Sequence, residues 1–124
     1  MTEMAQILLV DDSAYFRMKL REILEEGGHS IVGEAGDGFK AQVLYTQFKP
    51  DLVTMDISMP TVGGIEGVKK ILQMDSKAKI IMVSALGQRD FVLEALKLGA
   101  KHFVVKPIEK DKLIEVVTKV LGSK

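Results

Sequence analysis

An α/β fold, a parallel sheet of five strands covered by helices on both faces, is what this 124-residue sequence predicts. Three observations carry the expectation. Short apolar runs such as Ile7-Leu8-Leu9-Val10 and Ile80-Ile81-Met82-Val83 alternate with longer stretches of helical periodicity. The connections between them are short, which with right-handed crossovers leaves few arrangements. Runs one, three and four are apolar almost throughout and suit central strands, whereas the second is weaker and suits an edge.

Taken in order, residues 6–11 form the first strand. Ser13 caps the helix that follows, where Phe16, Leu20, Ile23 and Leu24 recur at helical spacing and Gly27-Gly28 stops the helix. Residues 30–35 are the weaker strand, and Gly36-Asp37-Gly38 is a turn. A helix over about 39–48 puts Ala41, Leu44, Tyr45 and Phe48 on one side, and Lys49-Pro50 ends it. Residues 51–56 are the third strand, ending in Asp56, with a loop closed by Pro60 and Gly63-Gly64. The next helix turns Val68, Ile71 and Leu72 inward until Asp75-Ser76 breaks it. The fourth strand spans 78–83, and the fourth helix about 88–98, burying Val92, Ala95 and Leu96 before Gly99. Residues 101–105 give the last strand, and 110–121 the last helix, burying Leu113, Val116, Val117 and Val120.

The length fits one domain, residues 1–124. Seventeen basic residues balance seventeen acidic ones, with no concentrated basic face, so a nucleic-acid partner is not expected. Cysteine is absent, which excludes disulfides and thiolate metal sites. No apolar run approaches the ~20 residues of a membrane span, and the N-terminus lacks a signal-peptide pattern, so the expectation is a cytoplasmic monomer with no membrane contact. His29 follows a Gly-Gly turn and His102 opens a strand; both read as surface residues, not as a metal pair.

In an open sheet of this kind ligands bind beyond the carboxyl ends of the strands, where strand order reverses. Those ends carry Asp11 and Asp12, Asp56, Ser84 and Lys106. Two carboxylates about 4.5 Å apart repel by roughly 3–4 kcal/mol at an effective dielectric near 20. Three of them must take up protons, pair with a cation or bind a metal, and Lys106 neutralises only one charge. With oxygen donors alone, Mg²⁺ or Mn²⁺ is the favoured guest, held by Asp11, Asp12 and Asp56 with the backbone carbonyl of Ser58. The same set describes phosphoryl transfer, with Asp56 as nucleophile and Ser84 and Lys106 gripping the phosphoryl oxygens.

Val10-Asp11-Asp12-Ser13, Val53-Thr54-Met55-Asp56-Ile57-Ser58-Met59-Pro60, Gly63-Gly64, Val83-Ser84-Ala85 and Val104-Val105-Lys106-Pro107 stand in the order and spacing of one family. Through them the whole chain resembles the response-regulator receiver domains, specifically the single-domain chemotaxis type. The resemblance implies a flavodoxin-like doubly wound sheet of order 2-1-3-4-5 flanked by five helices, with no output domain. It implies that Asp56 accepts phosphate from a histidine kinase and that Asp11, Asp12 and Asp56 bind Mg²⁺. It further implies that the Lys106-Pro107 bond is cis, and that the protein is an enzyme only toward its own phosphorylation and dephosphorylation. Ser84 and Phe103 are then the switch, and a surface on the fourth helix, last strand and last helix, with Phe91, Leu98 and Phe103, meets a downstream protein such as a flagellar or archaellar motor component.

The sequence departs from the family pattern in places. Phe103 stands where Tyr is frequent, Ser58 is two residues past Asp56, and Leu86 is two past Ser84. Alternatives are a stand-alone phosphorelay intermediate and a receiver-like module that never takes phosphate. An aspartate-nucleophile phosphatase would carry an acid where Ser58 stands. A flavodoxin-like cofactor binder would need a phosphate-cradling loop after the first strand instead of two acids.

Overall fold

The computed structural model describes residues 4–59 and 62–123; Pro60, expected to close the loop after the third strand, lies outside them. Strands and helices alternate: β1 (Gln6–Val10), α1 (Ala14–Glu26), β2 (Ser30–Ala35), α2 (Gly38–Phe48), β3 (Leu52–Asp56), α3 (Gly64–Met74), β4 (Ile80–Ser84), α4 (Arg89–Leu98), β5 (His102–Val105) and α5 (Lys110–Leu121). The strands pair in parallel in the order β2-β1-β3-β4-β5. The expected doubly wound order holds, with the weak second strand at one edge and β5 at the other.

Alternation along each strand divides the core into two layers. Leu8, Val10, Val53, Met55 and Met82 pack under α2, α3 and α4, against Ala41, Tyr45, Val68, Ile71, Val92 and Ala95. Ile7, Leu9, Leu52, Ile81 and Val83 pack under α1 and α5, against Leu20, Leu24, Leu113, Val116, Val117 and Val120. β3 and β4 are buried at every position, which is why their sequences show no polar alternation. Ser13 caps α1 by accepting the Phe16 N–H at 3.3 Å, and Asp37 caps α2 by accepting that of Lys40 at 2.8 Å. Lys49 ends α2 in the left-handed region, and Gly99 ends α4 at φ 126°.

Several element bounds and two side chains differ from what the sequence predicts. β1 stops at Val10, leaving Asp11 in the loop, and β4 begins at Ile80, with Ser84 inside it. α4 begins at Arg89, with Gln88 in the capping position. Phe48 is the last residue of α2 and 40% exposed, because it lies beside Gly33 at the sheet edge, where no strand covers it. His29 is not a surface residue. It is 4% exposed, its Nδ1 accepts the Ala5 N–H at 3.1 Å across the start of β1, and burial depresses its pKa. The Gly27-Gly28 turn folds the chain inward there, so that the His29 N–H reaches the Leu24 carbonyl.

Candidate functional site

The carboxyl ends of β1, β3, β4 and β5 lie side by side, and the polar residue after or at each end joins one cluster. Asp56 is the last residue of β3, and its register partner on β4 is Val83, so Ser84 stands one step further along the neighbouring strand. Lys106 follows β5 and is fixed there by its N–H to the Ser84 carbonyl at 2.7 Å. The Lys106-Pro107 bond is cis.

Asp11 is fully buried and held at both ends. Its N–H donates to the Ala35 carbonyl at 3.0 Å, and its carbonyl accepts from Arg17 Nη1 at 2.5 Å. Its Oδ1 accepts the Ser13 N–H at 2.8 Å. Arg17 is itself fixed by Glu34, Nε to Oε1 at 2.9 Å, and Glu34 also holds Arg21. These two guanidiniums, by hydrogen bond and charge, keep the Glu34 carboxyl below its ordinary pKa.

One carboxylate oxygen from each of Asp11, Asp12 and Asp56 lies within 4.8 Å of the others. Lys106 Nζ stands 3.2 Å from Asp11 Oδ2 and 3.5 Å from Asp56 Oδ1, and 4.0 Å from the centre of the Phe16 ring. The lysine thus has a carboxylate on two sides and an aromatic face on another. Burial pushes the Asp56 pKa up from 3.8 to about 6; the Asp11 charge adds to this, Lys106 opposes it, and Asp12 contributes a little more. A carboxyl perturbed in this way, at a strand end beside two further carboxylates, marks a candidate functional site.

The residues fit a hard divalent cation. Three carboxylates face one ammonium, all the side-chain donors are oxygens, and among the described residues the buried Asp11 Oδ2 has no hydrogen-bond donor beyond its ion pair with Lys106. Asp11, Asp12 and Asp56 could hold such a metal.

The start of α3 is drawn tightly against the Asp56 and Ile57 backbone. Ile57 N–H donates to the Val83 carbonyl at 3.2 Å, and Gly64 N–H donates to the Ile57 carbonyl at 2.9 Å. A Cβ on Gly64 would lie 2.1 Å from the Asp56 carbonyl oxygen, so only glycine allows this approach.

The remaining expected residues are spread around this centre. Ser58 lies exposed in the loop beyond Asp56. Phe103, 36% exposed, lines an apolar groove of about 430 Å³ with Ser84, Leu86, Val92, Leu93 and Leu96. Phe91 and Leu98 are exposed on the other side of α4. Phe91 borders a hollow with Ile57, Ser58 and Ile65, and Leu98 one with Lys69 and Leu72. The three residues read as one partner surface therefore fall on two flanks of α4.

Three contributors escaped the sequence reading: Phe16, assigned to the buried stripe of α1; Arg17, assigned to its polar face; and Gln88, assigned to a helix start. Gln88 bridges Ala85 and Ser58. Phe16 and Arg17 stand five and six residues past Asp11, outside the i, i+3 and i, i+4 spacings that would have linked them to it. Nothing local marks the bridge, because Ser58 lies 30 residues before Gln88.

Comparison with known proteins agrees with this geometry. A Bacillus subtilis relative, Protein CcdB, is 51% identical over 119 residues, covering 96% of this chain and 99% of its own. The chemotaxis protein CheY of Thermotoga maritima is 46% identical over 115 residues, covering 93% and 96%. Among solved structures, a CheX–CheY–BeF₃–Mg complex from Borrelia burgdorferi superposes with TM-score 0.91 at 37% identity, covering 95% of this chain and 90% of that one. Residues 7–118 match the response regulator receiver domain, and the chain belongs to that family.

Proposed function

We propose that this protein is a phospho-accepting response regulator in chemotaxis or motility signalling, taking a phosphoryl group from a histidine kinase onto Asp56. The carrying observation is the set of three carboxylates within 4.8 Å, with Lys106 3.5 Å from Asp56. An Asp56 carboxylate oxygen attacks the phosphorus of the kinase's phosphohistidine. The phosphorus–nitrogen bond breaks, and the imidazole leaves with the electron pair and takes a proton. The product is an acyl phosphate on Asp56. Asp11, Asp12, Asp56 and the Ser58 carbonyl would hold Mg²⁺, which when bound would supply charge neutralisation for the phosphoryl oxygens. Lys106 is placed to turn from Asp56 to a phosphoryl oxygen, and the Ser84 hydroxyl supplies a further donor.

The new group adds about −1.5 to −2 charge at the mouth of the sheet. When Ser84 moves to bond it, the wall that Ser84 shares with Phe103 in the apolar groove changes, and the partner surface with it. The outcome is a shift between two states of that surface, read by a downstream protein such as a motor component. Phe103 has no hydroxyl, so this switch works by packing alone. The Borrelia relative seen with BeF₃ and Mg supports the same site use here. As part of the reading the protein works in the cytoplasm and turns over no substrate except its own phosphate; among the described residues, no helix is long and apolar enough to cross a membrane.

The test is intact mass after incubation with acetyl phosphate, with and without Mg²⁺, for wild type and Asp56→Asn. One phosphoryl adduct that needs both Mg²⁺ and Asp56 is expected. No adduct, together with no Mg²⁺-dependent beryllofluoride binding, would overturn the proposal and leave a phosphate-independent interaction module.

A further inference from the structure

Two loops form the mouth of the site, and one side chain ties them together. Gln88 Oε1 accepts the Ala85 N–H at 2.7 Å, and its Nε2 donates to the Ser58 hydroxyl at 2.5 Å. Ala85 directly follows Ser84, and Ser58 is two residues past Asp56. Although Gln88 occupies the capping position of α4, its side chain makes no bond to that helix's own amides. Both ends of the amide are spent on bridging instead. Ladder pairing between β3 and β4 ends at Ile57 N–H to the Val83 carbonyl; beyond it, among the described residues, the Gln88 contacts are the hydrogen bonds that join the loops.

This bridge stands against the movement that phosphorylation requires. Ser84 must bring its hydroxyl to the phosphoryl oxygens on Asp56, and Ala85 has to follow it. Gln88 is anchored to α4 through its carbonyl, which accepts the Val92 N–H at 3.1 Å. Ala85 can therefore leave only by giving up the Gln88 oxygen or dragging the start of α4 along. A phosphoryl group carrying nearly two charges is also a stronger acceptor than a neutral amide oxygen. The same loop, Ala85 to Gln88, forms the rim of the apolar groove that holds Phe103, so its release is felt there too.

We propose that Gln88 is a positioning residue that clamps the β4–α4 loop to the β3–α3 loop in the unphosphorylated protein and so opposes the phosphoryl-bound state; this rests on the reading of Asp56 as phosphoacceptor. Releasing the clamp favours binding of a phosphoryl group or its mimic. The clamp is worth one or two exposed hydrogen bonds, hence about a three- to tenfold effect.

The experiment has two arms on the full chain: wild type, Gln88→Met, Ser58→Ala and the double variant. In the first arm, amide hydrogen exchange is measured without ligand. Gln88→Met is expected to speed exchange at Ala85 severalfold, with α4 from Val92 onward unchanged. In the second arm, beryllofluoride affinity is measured by titration in Mg²⁺. Both single variants are expected to bind tighter, about three- to tenfold for Gln88→Met, with the double variant no tighter than the tighter single, since each removes the same bridge. An Ala85 amide that exchanges equally fast in wild type and Gln88→Met overturns the clamp. Variants that bind beryllofluoride no tighter than wild type overturn its opposition to the phosphoryl state. Wild type that binds no beryllofluoride at all overturns the phosphoacceptor reading itself, while the exchange arm still decides whether the bridge exists.

Discussion

Asp56 carries its charge at a cost to the fold. Its pKa stands at about 6 against 3.8 unfolded, so the folded protein holds its proton more tightly than the unfolded chain. Between about pH 4 and pH 6 the folded state therefore binds more protons, and its stability falls as pH rises through that window. The shift corresponds to about 3 kcal/mol at neutral pH. Without divalent metal, Asp56→Asn is expected to be more stable than wild type at pH 7.5 by about 1–3 kcal/mol. Near pH 4, where the wild-type carboxyl is protonated, the gap should close. Urea unfolding in EDTA at the two pH values checks it, and an Asn variant no more stable at pH 7.5 would mean that Lys106 already neutralises the site. Mg²⁺ at a hundred times its Kd should stabilise wild type by about 2.7 kcal/mol and the Asn variant much less. A second buried polar group behaves differently. The Thr54 hydroxyl, two residues before Asp56 in β3, has no hydrogen-bond partner among the described residues. Thr54→Val replaces it by a methyl of similar shape and is expected to stabilise the fold by about 1 kcal/mol, seen as a higher urea midpoint at unchanged slope.

At the scale of elements, the geometry around Asp56 depends on how closely α3 follows β3. Gly64 opens α3 with its Cα against the Asp56 and Ile57 backbone, and Gly67, one turn on, lies against Met55 and Gly38. A Gly64→Ala methyl would meet backbone atoms at 2.1 and 2.8 Å, which no rotamer relieves. The loop must shift, at a cost on the order of 3 kcal/mol. Slower phosphoryl acceptance should accompany it, because the displaced carbonyl belongs to Asp56 itself. Thermal unfolding and the acetyl phosphate reaction read the two effects; a variant of wild-type stability would show that the loop has slack. The order of elements was legible for a simple reason. Ile7-Leu8-Leu9-Val10 and Ile80-Ile81-Met82-Val83 are buried on both faces, so their apolar character survives in one dimension. The site was legible because its groups come at or directly after strand ends. What stayed hidden depends on contacts between distant segments: Phe16 beneath Lys106, Gln88 across to Ser58, and His29 folded under Ala5. Local pattern carries no trace of those meetings.

Over the whole molecule two buried groups at opposite ends of the sheet set opposing pH responses. His29 lies by the start of β1 and Asp56 at the end of β3. Burial lowers the His29 pKa below 6.5, so the unfolded chain takes up protons there that the folded one refuses. Stability from this histidine is whole above pH 6.5 and is lost as pH falls toward the folded pKa. Asp56 acts in the reverse sense, with stability gained as pH falls from about 6 toward 4. The metal-free wild type should therefore show a shallow profile between pH 5 and 7, the two slopes partly cancelling. Asp56→Asn should expose the histidine and lose stability on acidification across this range. His29→Gln, which keeps an acceptor for the Ala5 N–H, should expose the aspartate and gain it. A five-residue strand spans about 16 Å, far enough that the two substitutions share no partner. Their free-energy effects are expected to add to within about 0.5 kcal/mol in the double variant, whose profile should be nearly flat. Coupling well beyond that, measured by urea unfolding at four pH values in EDTA, would mean that the two ends of the sheet communicate through β1 and β3. The site would then be sensitive to events at the far edge of the molecule.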